Sequence, residues 1–288
     1  MSKVAIMTDS NSSITQDEAR ALGVSVLPMP FIIDGKEFFE GEGFTHDMFY
    51  EKQLADSDIK TSQPSPGSVV DMWDSLLKEY DEVVHIPMAS GLSESCNTAK
   101  MLAQDYNGKV HVVDNKRILI TQRRSVLDAV ELSKRGKSGD EIKKYLEKDG
   151  PNSGIYLMVN TMKYLKKGGR VSPAAALIGT LLNIKPVLTF KGEKIDRHAK
   201  ARGVAQAKKE IIDAVKADLA AMFPSGVSPD KVWLEMAYSY DLNAHEEFQK
   251  EVEAAFPGYP IYVAPLSLSI ATHTGPGVIA LAYTKKMD

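Results

Sequence analysis

Three times in its first half the chain runs a short apolar stretch into a polar loop and then into a helical pattern. Val4-Ala5-Ile6-Met7 ends in Thr8-Asp9-Ser10-Asn11-Ser12-Ser13. Glu82-Val83-Val84-His85-Ile86-Pro87-Met88 breaks into Ala89-Ser90-Gly91-Leu92-Ser93-Glu94-Ser95, and Lys109-Val110-His111-Val112-Val113 stops at Asp114. Short apolar runs that halt at polar loops mark strands buried on both faces. Alternation with helices at these lengths builds βαβ units, so the first half is expected to form a mostly parallel sheet flanked by helices. In such sheets ligands bind beyond the carboxyl ends of the strands, where Thr8, Ser90 and their neighbours lie.

Local signals fill in the rest. Thr15 with Glu18 three residues on predicts a helix start, and Asp34-Gly35 a hairpin. His46 to Leu54 reads as a helix, and Lys60-Thr61-Ser62-Gln63-Pro64-Ser65-Pro66-Gly67 as a rigid loop before a helix over Ser68 to Tyr80. The loop Asp149 to Gly154 suggests a boundary, giving an N-terminal α/β domain over 1–152 and a C-terminal domain over 153–288. In the second part, strands are expected at Ile155 to Asn160, Val232 to Tyr238 and Ile261 to Val263. A hairpin is expected with arms Asn183 to Phe190 and Lys194-Ile195. Helices are expected from Thr161 to the Gly168-Gly169 stop, over Gly203 to Met222, and over Asn243 to Ala255. The hairpin makes this half more α+β than doubly wound.

The chain has 288 residues, 43% hydrophobic, which is enough for a substantial core, and a net charge of −3, which gives no electrostatic case for nucleic acid or an anionic membrane surface. No apolar run approaches the roughly 20 residues of a membrane span, and the first residues lack a signal-peptide layout, so a soluble cytoplasmic protein is expected. Cys96 is the single cysteine and reads as a small buried helix residue. No phosphate loop, G-x-G-x-x-G turn or H-E-x-x-H spacing occurs, so neither nucleotide cofactor nor metal is expected. His85 and His111 fall within strands and read as satisfied core histidines. Asp9 reads as a cap.

Near the end stands Ala271-Thr272-His273-Thr274-Gly275-Pro276-Gly277, a histidine and two hydroxyls at the mouth of a Gly-Pro-Gly turn. With Thr61, Ser62 and Ser93 these residues make a hydroxyl-and-imidazole set suited to a carboxylate or phosphate. In that set only a protonated histidine would bring a full charge. Ser93 is expected in the first turn of a helix, where free N–H groups and the dipole favour an anion. The alternative is a serine hydrolase or esterase using Ser93 and His273, although Ser95 stands where the second glycine of G-x-S-x-G belongs.

Seven stretches stand in a fixed order: Thr8-Asp9-Ser10, Thr61 to Gly67, Ser90-Gly91-Leu92-Ser93, Gly168-Gly169-Arg170, Lys185-Pro186-Val187-Leu188, Lys200-Ala201-Arg202 and Thr272 to Gly277. From about Lys3 to Tyr283 the chain in this respect resembles the DegV family, the FakB-type fatty-acid-binding proteins of bacteria. The resemblance implies a two-domain DegV-like α/β fold holding one long-chain fatty acid between its domains. The acyl pocket would draw on Ala174 to Leu182, Leu188, Phe190 and Leu266 to Ile270. It implies Thr61, Ser62 and Ser93 as contacts of the acyl carboxylate, and His273 as a nearby polar partner. Arg170 and Arg202 would stand at the entrance, where an ATP-dependent fatty acid kinase docks. The chain itself would be a carrier, not an enzyme. It would need no cofactor beyond its lipid, touch membranes only transiently, and serve acyl-phosphate formation for phospholipid synthesis. The chain departs from the family at Glu94, where a glycine is usual. Asn115-Lys116-Arg117 and Thr121 to Arg124 also replace a serine and a glycine-containing helix start. Arg123-Arg124 reads as a solvated helix face.

Overall fold

The computed structural model describes residues 2–178, 184–240 and 242–287. Its contacts divide the chain into two units. The first runs to Pro151 and takes in Ser267–Ser269; the second holds Asn152–Leu266 and resumes at Ile270. A division of the sequence near residue 152 takes no account of those three returning residues.

The first unit contains β1 (Val4–Asp9), α1 (Gln16–Leu22), β2 (Val24–Leu27), β3 (Pro30–Ile33), β4 (Lys36–Phe39), α2 (His46–Leu54) and β5 (Ile59–Thr61). It continues through α3 (Pro66–Leu76), β6 (Glu82–Ile86), α4 (Ser95–Leu102), β7 (Val110–Val112), α5 (Leu119–Lys134) and α6 (Gly139–Asp149). Strands pair in the order β2-β1-β6-β7, all parallel; the three apolar runs supply β1, β6 and β7, and β2 joins them at the edge. A smaller antiparallel sheet, β4-β3-β5, follows from the Asp34-Gly35 hairpin. Thr15 accepts the Glu18 N–H at 3.2 Å and starts α1. Ser65 accepts the Ser68 N–H at 3.0 Å, with Pro66 at the first helical position, so α3 begins earlier than its apolar pattern and ends at Leu76.

Helix α3 turns Val69 and Trp73 inward at i and i+4, with Met72 and Leu76 packed at the edge. With Cys96 and Ala99 of α4 they cover Ala5, Met7, Val83, Val110 and Val112 on one face of the sheet. Helices α5 and α6 cover the other face. Trp73 is fully buried, and each large side chain so placed contributes about 1.5–3 kcal/mol. Burial pushes the Cys96 thiol up to about 12, which leaves it inert as a nucleophile.

The loop after β7 is fixed by a buried guanidinium that the sequence did not advertise. Arg117 donates to the Asp149 carboxylate at 2.8 Å, to the Asp149 and Gly150 carbonyls at 2.8 and 3.3 Å, and to Ser125 Oγ at 3.1 Å. Nearby, burial pushes the Asp128 carboxyl up to about 6. Arg123 is also buried and donates to Glu18, so it is not a solvated helix position; it reaches across to α1 instead.

The second unit contains β8 (Ser153–Met158), α7 (Lys163–Gly168), α8 (Pro173–Ala176), β9 (Ile184–Phe190), β10 (Asp196–Arg202) and α9 (Val204–Met222). After these come β11 (Val232–Tyr238), α10 (Leu242–Ala255), β12 (Ile261–Pro265), α11 (Leu268–Thr274), whose first two residues belong to the first unit, and β13 (Ile279–Lys285). Its sheet runs β10-β9-β8-β13-β11-β12, antiparallel except for the β11–β12 pair. Ala207, Ile211, Val215 and Leu219 of α9 pack with Phe248 and Val252 of α10 on Tyr156, Met158, Val187, Met236 and Leu281. Lys208 is buried at that helix pair and is paired with Glu251 at 2.9 Å. The opposite side of the same strands, with Leu157, Leu188, Phe190 and Ala280, is buried too. The hairpin's second arm is Asp196–Arg202 instead of Lys194-Ile195, and Ile195 bridges Val171. Residues 179–183, part of the apolar stretch expected to line the acyl pocket and one end of the hairpin, lie outside the described residues.

Candidate functional site

In the first unit the polar loops gather at the carboxyl edge of the parallel sheet. The order β2-β1-β6-β7 reverses direction between β1 and β6, the position where doubly wound sheets open a crevice. Here that crevice is filled by the chain's own groups. Asp9 accepts the Met88 N–H at 2.8 Å and the Asn11 N–H at 3.0 Å, capping the turn that follows β1. From α5, Gln122 Nε2 donates to Thr8 Oγ1 and the Ile86 carbonyl, both at 3.1 Å, and to Asp9 at 3.3 Å. Burial pushes Asp9 up to about 6 against these donors.

Beside Asp9, Ser10 Oγ donates to Glu40 at 2.8 Å and accepts the Met29 N–H at 3.0 Å. Glu40 also accepts the Leu268 N–H at 2.6 Å, and Asn11 Oδ1 accepts the hydroxyls of Ser267 at 2.9 Å and of Ser269. Burial, with Asp9 adding charge repulsion, lifts Glu40 to about 7 despite its two donors. Glu40 has no motif in the sequence, and Gln122 stands out there only as part of the Thr121 to Arg124 departure, with no role attached. A lone acid after Phe38-Phe39 and a glutamine on a helix carry no motif, and their partners are distant in the chain.

The expected head-group residues of this unit sit around that edge. Thr61 ends β5, paired with Phe31 and half-buried, and Ser62 is exposed just beyond it. Gln63 Oε1 accepts the Thr98 hydroxyl at 3.1 Å, tying this loop to α4. Ser93 precedes α4 and does not lie in its first turn; its Oγ accepts the Ser95 N–H at 3.2 Å. The hydrogen bond at Ser93 thus comes from a backbone amide, not from a general base. The Glu94 carboxylate accepts from Asn97 Nδ2 at 2.9 Å. Ser90 Oγ accepts from Lys116 Nζ at 2.7 Å, and Lys100 Nζ reaches Asp114 at 3.0 Å. Burial pushes Asp114 up, but bonds from Ser90 and Lys100 and the Lys100 charge hold it below the usual carboxylate range. His111 bonds Glu82 at 2.8 Å. His85 is buried as expected, but its Nδ1 finds no protein partner among the described residues.

In the second unit Thr272, His273 and Thr274 form the last turn of α11. The sequence read them as the mouth of a turn, because a seven-residue helix rich in β-branched residues leaves little periodic signal. Thr272 and Thr274 are buried, and Thr274 Oγ1 donates to the Ile270 carbonyl at 3.2 Å. Gly168 ends α7 against His273, where a Cβ would fall on the ring at Nδ1. Arg170 donates to the Gly168 carbonyl. Burial, then the Arg170 charge, pushes His273 down to about 4, so at neutral pH it is an uncharged imidazole. The full charge that only a protonated histidine could bring to the set is therefore absent from His273 at neutral pH, and the charge felt by its ring is that of Arg170. Gly277 has φ 76° and a Cβ there would strike Asn160 Nδ2. Asn160 accepts from Lys185 Nζ at 2.9 Å and donates to the Pro276 carbonyl at 3.4 Å. Ser239 Oγ closes the turn by donating to the Gly275 carbonyl at 2.8 Å and accepting the Val278 N–H at 2.9 Å. Arg202 ends β10 with an exposed side chain, its N–H bonded to Gln206 at 2.7 Å.

The family model for an uncharacterised protein of the DegV family matches residues 3–286. The chain belongs to the DegV family. A DegV domain-containing protein of Deinococcus radiodurans is 29% identical over 97% of this chain and 97% of its own length. Among solved structures, one described as fatty acid binding of a DegV family protein from Thermus thermophilus is 31% identical. It has a TM-score of 0.88 and covers 99% of this chain and 100% of that one. A fatty acid binding DegV family protein from Streptococcus agalactiae is 30% identical, with a TM-score of 0.87 and 100% of each chain covered. These likenesses establish the DegV fold, a parallel sheet with further sheets and helices, for both units. Among the described residues of this DegV chain no group of three His, Cys, Asp or Glu side chains is arranged to hold a metal ion, and no helix is long and apolar enough to cross a membrane.

Proposed function

We propose that this chain binds one long-chain fatty acid and presents its carboxylate to a separate ATP-dependent fatty acid kinase, which forms acyl-phosphate for phospholipid synthesis in the cytoplasm. The reading is carried by full-length likeness to two DegV structures described as fatty acid binding, at 30% and 31% identity. In this reading Thr61, Ser62 and Ser93 donate to the carboxylate, with Thr272, His273 and Thr274 as further polar neighbours. A neutral His273 serves as a hydrogen-bond partner with Arg170 supplying charge. Arg170 and Arg202 meet the kinase at the entrance. The chain acts as a carrier and performs no chemistry itself, and Ser93 is a donor, not a nucleophile. The apolar face with Leu157, Leu188 and Phe190 supplies wall for the acyl chain. A dozen methylenes removed from water contribute on the order of 10 kcal/mol before ordering costs, which suits a carrier that must hide a lipid.

Denaturing extraction of protein purified from a bacterial host, followed by mass spectrometry, is expected to release a fatty acid. A preparation that is empty and also refuses palmitate and oleate overturns the reading. For the kinase step, Arg202→Ala is expected to keep its lipid while losing acyl-phosphate formation. Equal loss of lipid would place Arg202 in lipid binding instead.

A further inference from the structure

Beneath the loop Thr61 to Ser65 lies a cavity of about 10 Å³, the lower limit for one water molecule. Leu27, Val69, Pro64 and Pro87 form its apolar wall, and His85 and Ser95 line it from β6 and α4. Two polar atoms of these lining residues are buried and unpartnered: His85 Nδ1 and Ser95 Oγ. His85 is 3% exposed, and burial pushes its ring down to about 3, so the imidazole is neutral, with one nitrogen to donate and one to accept. A hydroxyl and an imidazole nitrogen left unsatisfied on two residues that line one cavity would each cost about 1–3 kcal/mol, and buried polar groups in native proteins find partners. Asp9, on the same wall, adds a carboxylate as a further acceptor.

We propose that this cavity is a built site for one water molecule, bridging His85 Nδ1 to Ser95 Oγ and so pinning the start of α4 to β6. The other lining hydroxyl, Thr98, already bonds Gln63 of the overlying loop at 3.1 Å. Helix α4 is then held on two sides, directly to the loop through Thr98 and through water to the sheet through Ser95. The water sets where the chain enters α4, two residues after Ser93. The inference is independent of what the protein carries.

A crystal structure of the intact protein at a resolution that shows ordered water tests it. A single round density peak is expected within about 2.7–3.2 Å of both His85 Nδ1 and Ser95 Oγ. An empty cavity overturns the proposal. So does elongated density continuous with a bound acyl chain, although that result would strengthen the fatty acid reading. In solution, water-oxygen relaxation dispersion should show about one long-lived water fewer in Ser95→Ala than in the unaltered protein. Equal amplitudes in the two would also overturn it.

Discussion

Replacing Glu40 by glutamine isolates the cost of burying one carboxylate. Gln can keep both hydrogen bonds, accepting the Leu268 N–H through Oε1 and donating to Ser10 Oγ, so the change removes mainly the charge. Lifting the carboxyl from 4.5 to about 7 costs the ionised folded state roughly 3 kcal/mol relative to the unfolded chain. The folded value lies above the unfolded one, so stability is whole below about pH 4.5. It declines as pH rises and is lost by about pH 7. Urea unfolding followed by circular dichroism near pH 5 and near pH 8 reads this directly. Glu40→Gln is expected to differ from the unaltered protein by less than about 1 kcal/mol near pH 5 and to exceed it by up to about 3 kcal/mol near pH 8. Asp9, raised to about 6, adds a slope of the same sign to both proteins and largely cancels in the difference. Asp114 is held low, so it titrates below this window. The reasoning fails if Glu40→Gln is equally destabilised at both pH values, because Glu40 would then act through its bonds and not its charge.

Two further outcomes follow from close packing and from buried charge. Gly168→Ala should lose about 1–3 kcal/mol in thermal unfolding and shift the His273 ring resonances. Helix propensity alone would make it gain about 1 kcal/mol, and such a gain would mean that the ring is not held against α7. Arg117→Met leaves the Asp149 carboxylate buried beside Asp128 and should cost about 3–5 kcal/mol in denaturant unfolding. A loss under about 1 kcal/mol would mean that the loop after β7 does not depend on this guanidinium.

The centre of the parallel sheet was legible because β1 and β6 bury both faces, so their apolar runs need no context. The starts of α1 and α3 were legible because capping is local: Thr15 and Ser65 sit within three residues of the amides they bond. Strand β10 was not, since Asp196-Arg197-His198-Ala199-Lys200-Ala201-Arg202 is an edge strand with mostly exposed charged side chains, and composition argues against a strand there. Helix α11 escaped for want of length. The interior polar groups escaped for a different reason. Arg123 and Arg117 look like surface residues until Glu18, 105 positions away, and Asp149, 32 positions away, are brought to them by the fold. The hydroxyls and histidine named as head-group candidates could be read as a chemical set, but no local pattern reveals that the imidazole beside Gly168 is neutral.

The bonds from Ser267, Leu268 and Ser269 to Asn11 and Glu40 have a consequence for the order in which this protein is made. A ribosome delivers β1 first and the last residues of the same unit almost last, with the whole second unit's strands β8 to β12 in between. At bacterial rates that interval is on the order of ten seconds. Throughout it, the nascent N-terminal half must survive with Asn11 and Glu40 awaiting partners not yet translated. A chain cut at Pro151 would never receive them, and Asn11 and Glu40 would lack the bonds from Ser267, Leu268 and Ser269 for good.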